Sequence, residues 1–127
     1  MQAKNNKALA IFYALGIAVH VLVITKLIPY TWVNGGRSAS YQAQAAQSIA
    51  SIVLLGGLYL LVRKIITASV HKKWHGLVLY VLASLWGLGY VMQLLGSQFE
   101  RFFMSFVLIY GFITHYIAAK TIGRKHV

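Results

Sequence analysis

Carboxylates are almost missing from this chain: among 127 residues, Glu100 is the only Asp or Glu. A single acid excludes paired-carboxylate chemistry within one protomer, because such sites divide acid and base roles between two groups. Cysteine is absent altogether, which removes disulfides, thiolate nucleophiles and Cys-ligated metals and leaves the redox compartment unmarked. Proline occurs once, at Pro29, and charged residues make up only 10% of the chain. Soluble domains carry roughly a quarter, so an ordinary soluble domain is excluded.

What is abundant is apolar surface, at 59% hydrophobic and 13% aromatic residues, together with 12 Lys and Arg that leave a formal charge of +11. A basic excess raises nucleic acid as a partner, and the placement of the charges decides against it. They fall in short clusters between apolar runs at residues 8–25, 45–62, 76–99 and 102–119. Each run is long enough to cross a hydrocarbon core of about 30 Å at about 1.5 Å per residue. Four such runs leave no room for a soluble nucleic-acid module. The expected fold is therefore an all-α, four-helix transmembrane bundle with short loops, its helices at about 7–28, 43–66, 74–97 and 100–120. Pro29 marks the expected end of the first, since proline restrains its predecessor and lacks an amide proton. That first span continues into Lys26-Leu27-Ile28-Pro29-Tyr30 without a small-residue cleavage pattern, so it reads as a retained helix and not a signal peptide.

Lys and Arg collect on the cytoplasmic side of short loops. Lys4, Lys7, Arg63, Lys64, Lys72, Lys73, Lys120, Arg124 and Lys125 flank one side of the four spans, against Lys26, Arg37 and Arg101 on the other. Nine against three orients both termini toward the cytoplasm.

Polar residues gather in the outer half. Gln44, Gln47, Ser48 and Ser51 share one face of the second helix at spacings of three and four, while Ala43, Ala46 and Ala50 form another face suited to close packing. Lys26, Gln93, Gln98, Glu100, Arg101 and Ser105 reach a similar depth from the other spans. Polar groups in hydrocarbon are costly when unpaired, so they form either a hydrogen-bonded seam or a recess. As a recess, the ligand-binding set is Lys26, Arg37, Gln44, Gln47, Ser51, Gln93 and Glu100. Its net positive charge favours a small anion or a lipid headgroup.

Between the first two spans, Trp32-Val33-Asn34-Gly35-Gly36-Arg37 reads as an interfacial aromatic followed by a tight turn. A sharper reading is a small anion-binding nest of glycine amides beside Arg37. Glu100 stands at the start of the fourth helix, where the helix dipole favours an anion. An Arg37–Glu100 ion pair is expected to pin the glycine loop over the recess, with Lys26 uncompensated beneath it.

His20 and His115 invite a haem held by one imidazole on each face. Depth disagrees: His20 lies roughly 18 Å along the first helix from its cytoplasmic end, and His115 only about 7 Å from Lys120 along the fourth. Each is expected instead to bond between helices. His71 and His75 have the i, i+4 spacing of metal ligands but no carboxylate or thiolate beside them, and a basic segment facing anionic headgroups explains them better. No cofactor or metal is expected, and the chain carries no enzymatic signature.

The stretch Lys26-Leu27-Ile28-Pro29-Tyr30, followed by Val33 and Gly35-Gly36-Arg37, resembles the signature of an uncharacterised family of small four-helix bacterial integral membrane proteins. Phe99-Glu100 followed by Phe102-Phe103 is similar to the start of that family's last helix, although Asn34 stands where many members carry an aromatic residue. The resemblance implies the fold and the membrane location and brings no activity with it.

The reading is thus a membrane protein that binds a small anionic ligand or lipid headgroup, with transport as an extension. A structural or regulatory subunit of a larger membrane complex, and a haem redox protein, are the alternatives. Membrane lipids are the expected partners, with a homodimer or larger complex compatible with the small-residue faces. Reporter fusions placed after Val127 and inside residues 38–41 should give opposite compartment signals; the same signal from both would refute the four-span orientation.

Overall fold

In a computed structural model of the chain, residues 2–124 are described, and Lys125, one of the nine cations expected on the cytoplasmic side, lies outside the described residues. Four helices account for the architecture, with no strand among the described residues: α1 (Gln2–Ile24), α2 (Tyr41–Thr67), α3 (Lys73–Leu94) and α4 (Ser105–Arg124). A π-helical turn, Glu100–Met104, leads directly into α4. Together with that turn, all four helices are long and apolar enough to cross a membrane, with mean hydropathies of 2.2, 2.0, 1.7 and 1.7. They run up and down, with α1 packed between α2 and α4, and α3 packed on α4. Large apolar side chains such as Val53, Leu60, Leu88 and Phe106 point outward. Such an apolar exterior suits lipid as solvent.

The main core lies toward the end that carries the termini, where Leu9, Phe12 and Tyr13 of α1 meet Val62 and Ile65 of α2, Leu79 and Leu82 of α3, and Ala118, Ala119 and Ile122 of α4. At its centre is an aromatic knot. The Phe12 ring stands edge-on to Tyr13, Trp86 and His115, with centroids 5.0, 5.1 and 5.4 Å away. Edge-to-face contacts of this kind add about 0.5 to 1.5 kcal/mol each beyond the area they bury. His115 holds the knot's polar centre. Its Nδ1 is 2.7 Å from the Gly111 carbonyl, which can only accept, so Nδ1 carries the proton. Nε2 then accepts from the Tyr13 hydroxyl at 2.9 Å. Tyr110 donates to the Ala8 carbonyl at 3.0 Å and ties α4 to α1 a second time.

Helix ends differ from the sequence expectation where local hydrogen bonds act before steric limits. α1 stops at Ile24 and not near Ile28. Lys26 takes a left-handed conformation, φ 60°, its amide bonding to Val23 O and that of Leu27 to Leu22 O, the two bonds of a Schellman cap. Tyr41 at the head of α2 donates its hydroxyl to Ile24 O, so the terminal carbonyls are satisfied before Pro29 exerts its constraint. α2 starts two residues early because Ser40 accepts from the Ala43 amide at 3.2 Å as its N-cap. α3 begins at Lys73, where His75 Nδ1 accepts from the Lys72 amide at 3.1 Å, and it ends at Leu94, not near residue 97.

Gly111 is where α4 comes closest to α1: a Cβ there would lie 2.3 Å from Cε2 of Phe12. Phe12 is only 2% exposed and cannot swing aside. Gly111→Ala should therefore lower stability by about 1 to 3 kcal/mol, the usual cost of overpacking. Gly57→Ala, with nothing within 4 Å of its Cβ, should leave the thermal unfolding temperature unchanged or slightly raised. Equal effects of the two substitutions in a thermal melt would contradict this packing.

Candidate functional site

At the end of the bundle opposite the termini, the connection from α1 to α2 folds inward over the helix tips. Asn34, Gly35 and Gly36 all have positive φ, at 54°, 63° and 69°. Glycine adopts this region without Cβ strain and asparagine tolerates it. The run turns the Gly35 amide toward Glu100, and both carboxylate oxygens accept from it at 2.9 Å.

Glu100 is held from the other side by its own helix start. Ser97 Oγ accepts from the Glu100 amide at 3.3 Å, while Glu100 Oε2 accepts from the Ser97 amide at 2.8 Å. This reciprocal pair is a capping box. Glu100 as a whole is 3% exposed, and Gly96 makes room for its carboxylate, since a Cβ at Gly96 would lie 2.2 Å from Oε2. Ser97 Oγ also donates to Trp32 O, so loop and helix start are tied twice.

The expected Arg37–Glu100 ion pair is not formed. Among the described residues no basic nitrogen pairs with the carboxylate, whose partners are the Gly35 and Ser97 amides. Arg37 lies alongside, its Nε 3.0 Å from where a Gly35 Cβ would stand. The physical reason is geometric: the loop presents a backbone N–H directly to the oxygens, and Arg37 remains exposed. The expected nest of glycine amides is reduced to one: the Gly35 amide holds the chain's own glutamate, while the Gly36 amide bonds to Val33 O at 3.0 Å. The sequence already carried the signal for half of this arrangement, because Ser97-Gln98-Phe99-Glu100 has the S-x-x-E spacing of a capping box.

Beneath the loop lies a cavity of about 220 Å³. It is lined by Gln44, Gln47, Ser51, Gln93 and Glu100, five of the seven residues expected to bind ligand, together with His20, Asn34, Val19, Val33 and Met104. Lys26 and Arg37 are not in its wall. Lys26 is turned outward by its left-handed backbone, and its Nζ stands over the Tyr41 ring, 4.4 Å from the centroid, a cation–π contact. The uncompensated cation expected beneath the loop is therefore placed elsewhere.

The polar wall is organised by a directional chain of hydrogen bonds. Asn34 Nδ2 donates to Gln47 Oε1 at 3.0 Å and to Ser38 Oγ at 3.3 Å. Ser38 donates to Gln44 Oε1, and Gln44 Nε2 donates to Ser48 Oγ at 3.2 Å. Ser48 Oγ lies 3.1 Å from His20 Nδ1. Gln44 and Ser48 are 2% and 0% exposed, so this chain crosses protein interior and ties loop, α2 and α1 together. Bonds in series polarise one another. Gln93 differs, because its Oε1 is buried without a hydrogen-bond partner.

His20 and His115, weighed above as joint haem ligands, are engaged with Ser48 and Tyr13 respectively and so bond between helices. No cluster of three His, Cys, Asp or Glu side chains capable of holding a metal occurs among the described residues. What the site offers is carboxamides, hydroxyls, one imidazole and one carboxylate, groups that bind and orient a polar molecule.

Comparison of the chain with models of known families, with curated proteins and with solved structures yields no match.

Hydrogen bonds to a charged acceptor contribute about 1.5 to 3 kcal/mol. Glu100→Ala should therefore speed amide exchange over residues 33–37 by at least about tenfold, whereas Arg37→Ala should change it less than about twofold, as for an exposed charge. Hydrogen exchange read by mass spectrometry checks both; a large effect of Arg37→Ala would restore the ion pair.

Proposed function

We propose that this is an integral protein of the bacterial plasma membrane, termini cytoplasmic, whose outward recess binds a small polar ligand or a phospholipid headgroup. The observation that carries the reading is the cavity beneath the glycine loop, where polar side chains of α1, α2, α3 and the α4 start line one space and the buried Gln93 Oε1 has no partner. An unsatisfied buried acceptor costs about 1 to 3 kcal/mol, and an occupant that donates to it recovers that cost. The volume of about 220 Å³ is several times the roughly 30 Å³ share of one water, enough for a headgroup-sized molecule.

The lining also refines the ligand's charge. With Lys26 and Arg37 outside the wall and Glu100 in it, a simple anion meets a carboxylate and no cation. A neutral or zwitterionic molecule that brings hydrogen-bond donors fits better, and transport remains an extension of this binding role.

A second reading, a homodimer or a subunit of a larger membrane complex, is favoured by one observation. Ala43, Ala46 and Ala50 of α2 are exposed, and small residues on one face permit close helix approach within a membrane.

Native mass spectrometry of detergent-purified protein separates these readings. Retention of a small molecule or lipid that falls at least about fivefold in Gln93→Leu and Gln47→Leu, corresponding to about 1 kcal/mol, supports the recess. Release of only detergent and water from the unaltered protein would overturn it, a mass doubled or joined to another polypeptide would favour the second reading, and a Soret band would favour haem.

A further inference from the structure

A second cavity lies at the opposite end of the bundle, in the cleft between α1 and α2, with a volume of about 340 Å³. Its two walls are set by helical spacing: Asn6, Lys7 and Ala10 on α1 face Tyr59, Arg63 and Thr67 on α2. Leu9, Val62 and Ile66 form a buried apolar floor, and the rim carries two exposed cations, Lys7 and Arg63. Neither has an acidic partner among the described residues, because the only acid in the chain, Glu100, is bound at the far end of the bundle.

Two cations converging on one cleft repel one another unless a counter-charge stands between them. Two sets of features select its chemistry. The guanidinium fork and the ammonium suit phosphate oxygens, and the apolar floor suits hydrocarbon. Basic pockets between helices at a membrane surface hold anionic headgroups by this combination. A zwitterionic lipid would bring an ammonium against two cations, and a free phosphate would leave the floor unused. We propose that the α1–α2 cleft is a site for an anionic phospholipid, its phosphate between Lys7 and Arg63 and an acyl chain along Ala10 and Tyr59. The proposal rests on the chain spanning a membrane and is independent of what occupies the outer recess.

The test uses full-length protein in detergent, titrated with phosphatidylglycerol, with phosphatidylcholine or with inorganic phosphate, and read by native mass spectrometry and thermal melting. Phosphatidylglycerol should bind at least about tenfold more tightly than phosphatidylcholine and raise the melting temperature, while phosphate should do neither. Lys7→Gln and Arg63→Gln should each reduce the preference about fivefold, the value of one basic residue at a membrane surface. Lys73→Gln, a cation at the same end but on α3, should alter it less than about twofold. Ala10→Leu, which fills the cleft and leaves the charges in place, should weaken phosphatidylglycerol binding with no change in net charge. Equal binding of the two lipids, equal losses from Lys73→Gln and Arg63→Gln, undiminished binding by Ala10→Leu, or stabilisation by phosphate alone would each overturn the site.

Discussion

The carboxylate of Glu100 is the point on which the loop end of the molecule, opposite the termini, depends. A buried charge is tolerated only where hydrogen bonds replace its hydration, and here the replacements come from backbone: the Gly35 amide from the loop and the Ser97 amide from the start of the last helix. Because Gly35 lies 65 residues from Glu100 in the chain, holding the charge also holds the loop. The loop is the roof of the outer cavity, through Val33 and Asn34. Removing the acid would therefore release a helix cap and a roof together, which is why one side chain has so wide a reach.

The interior polarity of the bundle follows a different rule at each end. Toward the termini, Tyr13 and His115 form a closed pair that donates onward to Gly111 O, fenced by Phe12 and Trp86. Each ring nitrogen of His115 is engaged, and the surrounding packing is dense enough that Gly111 can carry no Cβ. Toward the loop, the chain from Asn34 through Gln44 and Ser48 to His20 runs beside open volume, and Gln93 Oε1 is left over. A closed pair rigidifies a core, whereas a buried acceptor left without a partner, as at Gln93 Oε1, leaves the loop end of the bundle less fully satisfied.

The four helices were legible from hydropathy alone, because runs such as 8–25 and 102–119 carry few charges and end in basic clusters. Gln44, Gln47, Ser51, Gln93 and Glu100 were legible as a group because helical spacing and depth bring them together. The placement of the cations was not. Lys26 leaves the cavity because its residue takes a left-handed cap conformation, a backbone decision with no side-chain signature in the sequence. Arg37 is displaced from Glu100 by a glycine amide, and sequence reasoning that matches charge to charge overlooks a backbone donor. An interhelical bond for His20 was legible from its depth, but its partner Ser48 depends on how α2 is rotated about α1, which periodicity leaves open.

These displacements share one cause. With one acid and 12 Lys and Arg, the chain cannot neutralise its cations internally, and burying any of them unpaired would cost several kcal/mol. Its one anion is instead held by amide dipoles that carry no net charge, and its described cations are left at the ends of the helices, over an aromatic face as at Lys26 or at the cleft rim as at Lys7 and Arg63. The spans themselves then need only neutral polar groups, which a hydrocarbon surrounding tolerates once they are bonded to one another. With Glu100 bound at the far end, the counter-charge for the cations gathered at the end that carries the termini has to come from outside the chain.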